Sequence, residues 1–499
     1  MTSACEAFDH HDENRHNIEL MNGAVQVLAK MLDQSRTTDD ELRMICSALE
    51  MVLRGSPSSI TLSYQKANVN FLSCMLRMLD RCEERTVKHA DISILNITKM
   101  IFYLSKCPDL RVTLCRHPDV PRFLSRVATV ALNPDCRALR VKIVANLATA
   151  EKNRVILLEN NAIIDGVLRI AHMDSFDLAR QNAAEALQEL AASTQNHIPM
   201  ANNDQLLGVL VKMALVEKTL LARDAVISAL QTLAFTKQNR LRLVTFKDGV
   251  VLEALKRTLS VDPDEKIRRR AAGTLTNLAC DETAEAMGSH RGLLEALAII
   301  CTKDYNSDVQ IRAALALTKI GSGINCNMRC FETLLDALVV ASLSKTSTGV
   351  TAVLRLKARE PENRQVMAQH KGVLDTLSDI CVLETGKSAD RDNSMRAIMH
   401  LVNDDHNRIS MCNKVILDTL VACANFDVED QADCRDSAIR ALERLATEAS
   451  NRPTMARHHG LLQSVAKAVE REAKLQDENV ENEHGYLAKP LLMTLLLAM

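Results

Sequence analysis

A short polar signature returns along this chain at a nearly constant step. Asn153-Arg154, Asn196-His197, Asn239-Arg240, Asn363-Arg364, Asn407-Arg408 and Asn451-Arg452 each open a similar stretch. The steps 153→196 and 196→239 are both 43 residues, and 363→407 and 407→451 are both 44. Between 239 and 363 the pair is lost, yet Glu282 and Asn325 fall on the same beat. A period in the forties is the mark of stacked helical repeats, each too small to bury its apolar face alone. Such an array offers one long surface in place of a single enclosed pocket.

One period shows what repeats. Asn153 to Glu159 reads as a short first helix, broken at Asn160-Asn161, where Asn is expected to take the left-handed turn conformation. Ala162 to Ala171 is a second helix with Ile163, Ile164, Val167, Leu168 and Ile170 at helical spacing. Asp177 to Ala192 is a third, with small Ala183, Ala184 and Ala191 on the face that meets its neighbours. The same break recurs at Asn22-Gly23, Asp248-Gly249, Arg291-Gly292, Lys371-Gly372, Cys412-Asn413 and His459-Gly460. Gly there answers a backbone need for positive φ. Asn133-Pro134-Asp135 and Asp262-Pro263-Asp264-Glu265 place a cap residue, a Pro and then acids where a third helix starts.

These residues make the chain resemble the armadillo repeat family: the Asn-Arg starts, the Gly/Asn break, and third helices such as Ala271 to Ala279. The resemblance covers roughly residues 14–470, about ten repeats of 42–44 residues. It implies an all-α fold, a right-handed α-solenoid or superhelix. In that family the third helices line a concave groove that binds extended peptides. The implied organisation is a disordered lead at 1–13, atypical helical repeats at 14–108 and regular repeats at 109–330. A short irregular repeat follows at 331–362, then regular repeats at 363–470, an acidic linker at 471–486 and a capping helix at 487–499. The third helix of the short repeat, Gly349 to Lys357, carries Gly and β-branched residues that form helix poorly, so a kink is expected there.

The resemblance also supplies a test of the groove. In peptide-binding members an Asn on each third helix clamps the partner's backbone. The aligned positions here are Asn146, Glu189, Thr232, Asn277, Lys319, Arg355, His400 and Arg444, so only Asn146 and Asn277 match. One turn earlier stand Lys142, Glu185, Ser228, Gly273, Leu315, Thr351, Arg396 and Arg440. The chain has no Trp, which disfavours a transport adaptor of the importin-α kind. What remains is a sign pattern. Arg355, Arg396, His400, Arg440 and Arg444 line the last three repeats, suited to an acidic or phosphorylated partner or a phosphoinositide head group unless neighbouring acids such as Glu443, Asp392 and Asp436 neutralise them. A second row, Arg137, Arg180, Arg223, Arg268, Arg391 and Arg435, falls nine residues before the aligned Asn and is expected to pair with adjacent-repeat carboxylates or helix ends.

Composition narrows the function class. Lys and Arg number 61 against 63 Asp and Glu, so no global charge draws the chain to nucleic acid or anionic lipid. The basic run Lys266 to Arg270 sits beside Asp262, Asp264 and Glu265, and aromatic platforms for bases are lacking. The 15 cysteines are scattered singly, as at Cys46, Cys74, Cys280, Cys301 and Cys381, which points to free thiols in a reducing compartment, the cytoplasm with or without the nucleus. Cys326 and Cys330 find no partner pair at zinc spacing, and His10-His11 and His458-His459 are isolated doublets, so neither a metal nor a cofactor is expected. No phosphate-binding loop or hydrolase motif occurs. The polar start of the chain reads as no secretory leader, and the apolar run from Pro490 is too short to span a bilayer. The expectation is a non-enzymatic scaffold or adaptor that binds protein or peptide partners. The rivals are a transport adaptor and a regulatory subunit of an enzyme complex such as a ubiquitin ligase.

Overall fold

The computed structural model describes residues 90–125, 133–325, 330–342, 348–383, 387–426, 431–477 and 488–498, with isolated positions between 41 and 76. The regular structure among the described residues is helical throughout. The expectations for 1–13 and for the break at 22–23 lie outside the described residues, as does most of the reading of 14–89. The chain divides into two compact units, Met1–Asn239 and Arg240–Met499.

In the first unit the third helices Ala90–Lys106, Pro134–Ala148, Asp177–Ala191 and Leu220–Phe235 pack one against the next. The second helices Asn161–Met173 and Asp204–Val216 stack behind them, and the short first helices Pro108–Arg116, Glu151–Glu159 and Thr194–Asn202 form a third row. Small side chains make the third-helix row possible. Ala183, Ala184, Ala186 and Ala191 are all fully buried. A larger residue there would have to push two helices apart.

The second unit repeats the plan. Its third helices are Glu265–Leu278, Ser307–Ser322, Thr348–Arg359, Ser388–Val402 and Ala432–Thr447, again packed in sequence. Its second helices are Val250–Val261, Leu293–Lys303, Phe331–Ser342, Val373–Val382, Lys414–Ala424 and Leu461–Asp477. The last of these runs on into the stretch read as an acidic linker, and 478–487 lie outside the described residues. Ala488–Leu496 then packs on Ala432–Thr447 and Leu461–Asp477, where a further third helix would stand.

The turns between first and second helices come in two kinds. Gly249, Gly292, Gly372 and Gly460 have φ of 87°, 72°, 99° and 77°, the left-handed region that only glycine enters without strain. Asn160 corrects the expectation at the other breaks. Its φ is −83°, and it acts as an extended N-cap whose side chain accepts from the Ile163 amide. Asn203 and Asn413 do the same for Leu206 and Ile416. The side-chain oxygen satisfies an orphan amide at the helix start, so no left-handed residue is needed.

Thr348–Arg359 forms as one helix despite Gly349 and its β-branched neighbours. Val350, Val353 and Leu354 are buried against the flanking third helices, and burial of that face outweighs weak propensity. The shortfall of this repeat lies in sequence between Ser322 and Phe331.

The Asn of the periodic signature is the device that joins repeats. Asn153 Nδ2 donates to Leu147 O and Arg111 O, both at 3.0 Å. Asn196 reaches Leu190 O and Arg154 O, and Asn239 reaches Leu233 O and His197 O. Asn407 and Asn451 repeat the pattern on Leu401 O with Arg364 O, and on Leu445 O with Arg408 O. One carbonyl ends the preceding third helix, and the other sits one full repeat back. The residue after the Asn extends the cap in most repeats, Arg240 being an exception with its buried Nε unbonded. Arg154, Arg408 and Arg452 donate from Nε to Ala148 O, Val402 O and Ala446 O, and a ring nitrogen of His197 reaches Ala191 O. Helix C-termini leave carbonyls without partners, and cations there also oppose the helix dipole.

Where the beat falters, other side chains take over. Thr283 beside Glu282 donates its hydroxyl to Leu278 O. Asn363 bonds Lys357 O and the Glu360 carboxylate, and the link one repeat back passes instead to the buried Lys357 Nζ, which donates to Ser322 O and Asn325 Oδ1.

Asn407→Ala removes two buried hydrogen bonds, to Leu401 O and Arg364 O, which costs about 1–3 kcal/mol. Thermal denaturation of the full chain is expected to show a clear loss of stability for N407A. A neighbouring exposed change, Asp405→Ala, removes only a solvent-facing ion pair to Arg408 and should shift Tm far less.

Candidate functional site

The two arginine rows sit at different places in the repeat and have different surroundings. In the first row, Arg137 forms a bidentate pair with Asp174 at 2.7 and 3.0 Å. Arg180 does the same with Glu217 and adds Asp177 and the Asp174 carbonyl. Arg268 pairs with Asp304 at 2.7 Å and bonds the carbonyls of Asp262 and Pro263. Each acid caps the second helix of the next repeat and also accepts from a backbone amide in its own turn, as Asp174 does from Phe176. Arg223, Arg391 and Arg435 reach turn carbonyls, those of Lys218, Leu383 and Phe426. Arg391 also lies 5.6 Å from the Phe426 ring centre.

These pairs are buried enough to shift titration. Burial alone would raise the Asp174, Glu217 and Asp304 carboxyls. The arginine bonds and turn amides outweigh it and hold all three below the usual carboxylate range. The basic run is likewise engaged. Arg268 holds Asp304, and Arg269 lies 3.6 Å from Asp308.

The third-helix face of the first unit is largely neutralised. Lys142 pairs with Glu185 on the next third helix, and Asn146 donates to Ser105 Oγ on the preceding one at 2.9 Å. Asn277, in the second unit, is half-buried and has no hydrogen-bond partner among the described residues.

The face differs along Thr348–Arg359, Ser388–Val402 and Ala432–Thr447. Arg396 pairs with Asp433, and the exposed Arg444 lies 3.6 Å from its neighbour Glu443. The other acids weighed against this row, Asp392 and Asp436, have partners of their own. Arg355 and Arg440 have no carboxylate partner among the described residues. His400 lies among cations. Burial first, then Arg364, Arg359, Arg355 and Arg396, push its imidazole below the ordinary histidine value. Two of these arginines were missed in the sequence. Arg359 stands one turn after Arg355 on the same helix face, a spacing that could have flagged it. Arg364 belongs to the periodic signature, and its Nε and Nη2 cap the Ala358 and Arg359 carbonyls.

Other chemistry is sparse. Burial pushes the Cys115 and Cys136 thiols up to about 11 and Cys301 to about 12, which leaves them protonated and poorly reactive. No cluster of His, Cys, Asp and Glu among the described residues could hold a metal ion. His458 faces Asp418 at 3.1 Å, and Cys330 is buried. No described helix is long and apolar enough to cross a membrane.

No protein-family model and no curated protein matches the chain. Solved structures do. An engineered protein is similar with a TM-score of 0.52 at 17% identity, covering 85% of this chain and 98% of its own. A chain from a structure titled for a phosphorylation switch that controls the interaction between cadherin and beta-catenin is similar with a TM-score of 0.51. Its identity is 13%, with 94% of this chain and 91% of that one covered. A designed armadillo repeat protein in complex with a (KR)4 peptide gives a TM-score of 0.41 at 15% identity, over 51% of this chain and 99% of its own. At such identities the likeness concerns fold.

Glu217 tests the buried pairs. Its folded carboxyl titrates below the ordinary value of about 4.3, so its contribution is complete above that value and lost as pH falls through the folded one. Glu217→Gln keeps the shape and removes the charge. It is expected to lower Tm at pH 7 and to flatten the decline in Tm between pH 7 and pH 3. An unchanged pH slope would contradict the assignment.

Proposed function

We propose that this armadillo-type solenoid is a scaffold that binds an extended, net-acidic segment of a partner protein along the third-helix face of residues 348–447. The supporting observation is the contrast between its two arginine rows. Arginines at the turns are engaged with acids or carbonyls, whereas Arg355, Arg359 and Arg440 have no carboxylate partner among the described residues. Three third helices packed side by side carry these cations at steps of about 8–10 Å, roughly three residues of extended chain per helix. Many modest contacts spread over such a surface suit a flexible segment better than a compact substrate.

No catalytic role is proposed. The cadherin–beta-catenin structure concerns an interaction controlled by phosphorylation. The same class of contact, between an armadillo-type array and a protein segment, is proposed for this chain.

The test uses fluorescent ten-residue glutamate and lysine peptides with the full chain at low salt. The glutamate peptide is expected to bind and the lysine peptide to fail. Binding should weaken steeply as salt rises from 50 to 300 mM, because exposed charges are screened over about 10 Å. The double variant R355Q/R440Q should lose about tenfold or more in affinity while its Tm stays within about 1–2 °C, since neither side chain holds a neighbour. Equal affinity for both peptides, or an undiminished affinity in the double variant, overturns the proposal.

A further inference from the structure

Within the third-helix face, one spot concentrates positive charge. Arg355 and Arg359 lie one turn apart on Thr348–Arg359, and Arg396 and His400 lie one turn apart on the helix packed against it. Arg364 begins the short helix that follows Arg359 and is held there by its bonds to the Ala358 and Arg359 carbonyls. Burial and then all four arginines disfavour the imidazolium form of His400.

One acid, the exposed Asp433, meets the cluster at Arg396; the others nearby are occupied elsewhere, Glu360 by Lys357 and Asn363. Glu443 pairs with Arg444, Asp405 with Arg408, and Asp404 accepts from the His406 amide. Neither His400 ring nitrogen has a hydrogen-bond partner among the described residues. Like charges that outnumber their counter-charges cost free energy, and a polyvalent anion would lower that cost.

Resting on the acidic-segment reading of this face, we propose that the cluster of Arg355, Arg359, Arg396 and His400 is the anchoring subsite for a phosphorylated side chain on the partner, and that His400 takes up a proton when the phosphate seats. A phosphomonoester brings close to two negative charges and three acceptor oxygens. A carboxylate has one charge and two oxygens, and so leaves guanidinium donors idle. The cluster also continues in line with Arg440 on the next third helix, as an extended peptide requires. Arg355, Arg396 and His400 are half-buried between helices, out of reach of a flat bilayer surface.

The proton follows from the charges. Without an anion, burial and the arginines disfavour the imidazolium. A bound phosphate reverses the local field and raises the imidazole's affinity for a solvent proton. Linkage then makes anion binding tighter as pH falls through the bound-state pKa, by about tenfold for each unit that His400 shifts. A non-titrating anion such as sulfate should tighten steadily toward acid. Phosphate should pass through a maximum near pH 6, about where it loses its second charge.

The experiment uses the full chain and three peptides, Gly-Glu-Glu-X-Glu-Glu-Gly with X as serine, aspartate or phosphoserine. The phosphoserine peptide is expected to bind about tenfold or more tighter than the aspartate one. In protein carrying 13C-labelled histidine, the resonance that vanishes in H400Q should report an imidazole pKa that rises by about one unit on saturation with the phosphoserine peptide or with sulfate. H400Q should fold normally by circular dichroism, still bind the phosphoserine peptide, and lose the tightening toward acid. R355Q/R359Q should lose the preference for phosphoserine over aspartate. Equal affinity for phosphoserine and aspartate peptides overturns the phosphate subsite and leaves the acidic-segment reading standing. Failure of all three to bind overturns both. Phosphoinositide vesicles that bind without being displaced by the phosphoserine peptide also overturn it, as does a His400 resonance unmoved by ligand.

Discussion

The buried asparagine that bridges two carbonyls, one at the end of its own third helix and one a repeat earlier, is the contact on which the rest depends. A stacked array buries helix ends that a single-layer protein would expose, and each buried end carries carbonyls needing donors. One carboxamide placed once per repeat meets that need twice. It also fixes register, because the two acceptors lie 6 and 42 or 43 residues away, as with Leu190 and Arg154 for Asn196. Slipping one repeat against the next would break the bond that crosses between them, as from Asn196 to Arg154 O.

With helix ends capped by Asn and Arg, and the turns held by pairs such as Arg180 with Glu217, many of the chain's charges serve the stacking. That division explains a chain with nearly balanced charge and a locally cationic face. Arginine is suited to both tasks. Its planar fork matches a carboxylate at a buried turn, and its permanent charge serves at a surface that waits for one. Position in the repeat, and not residue type, separates structural arginines from those proposed to meet a partner.

Much of the fold was legible because period and apolar spacing are properties of short windows. The Asn-Arg beat gave the repeat, the third-helix register and the Gly breaks. Its physical role was not legible, since a side chain donating to a carbonyl 42 residues back leaves no mark on local pattern. Asn160 was misread for a related reason: Asn suits both a left-handed turn and an N-cap, and only the backbone angle decides. Residues 348–359 formed helix against local propensity, because tertiary burial of Val350 and Leu354 settles that contest. On the candidate face the sequence placed Arg396 and Arg355 alike. The acid that claims Arg396 comes from the next repeat at Asp433, and the local spacing pointed to Asp392 instead.

The central claim is that two rows of arginine on one scaffold do two separate jobs. Arg268→Gln and Arg359→Gln, measured side by side for Tm and for affinity toward a glutamate peptide at 20 °C, test it most directly. R268Q is expected to lower Tm by several degrees and leave affinity nearly unchanged. R359Q is expected to lower affinity severalfold and leave Tm nearly unchanged. The account is contradicted if both variants change the same quantity, or if the effects are exchanged.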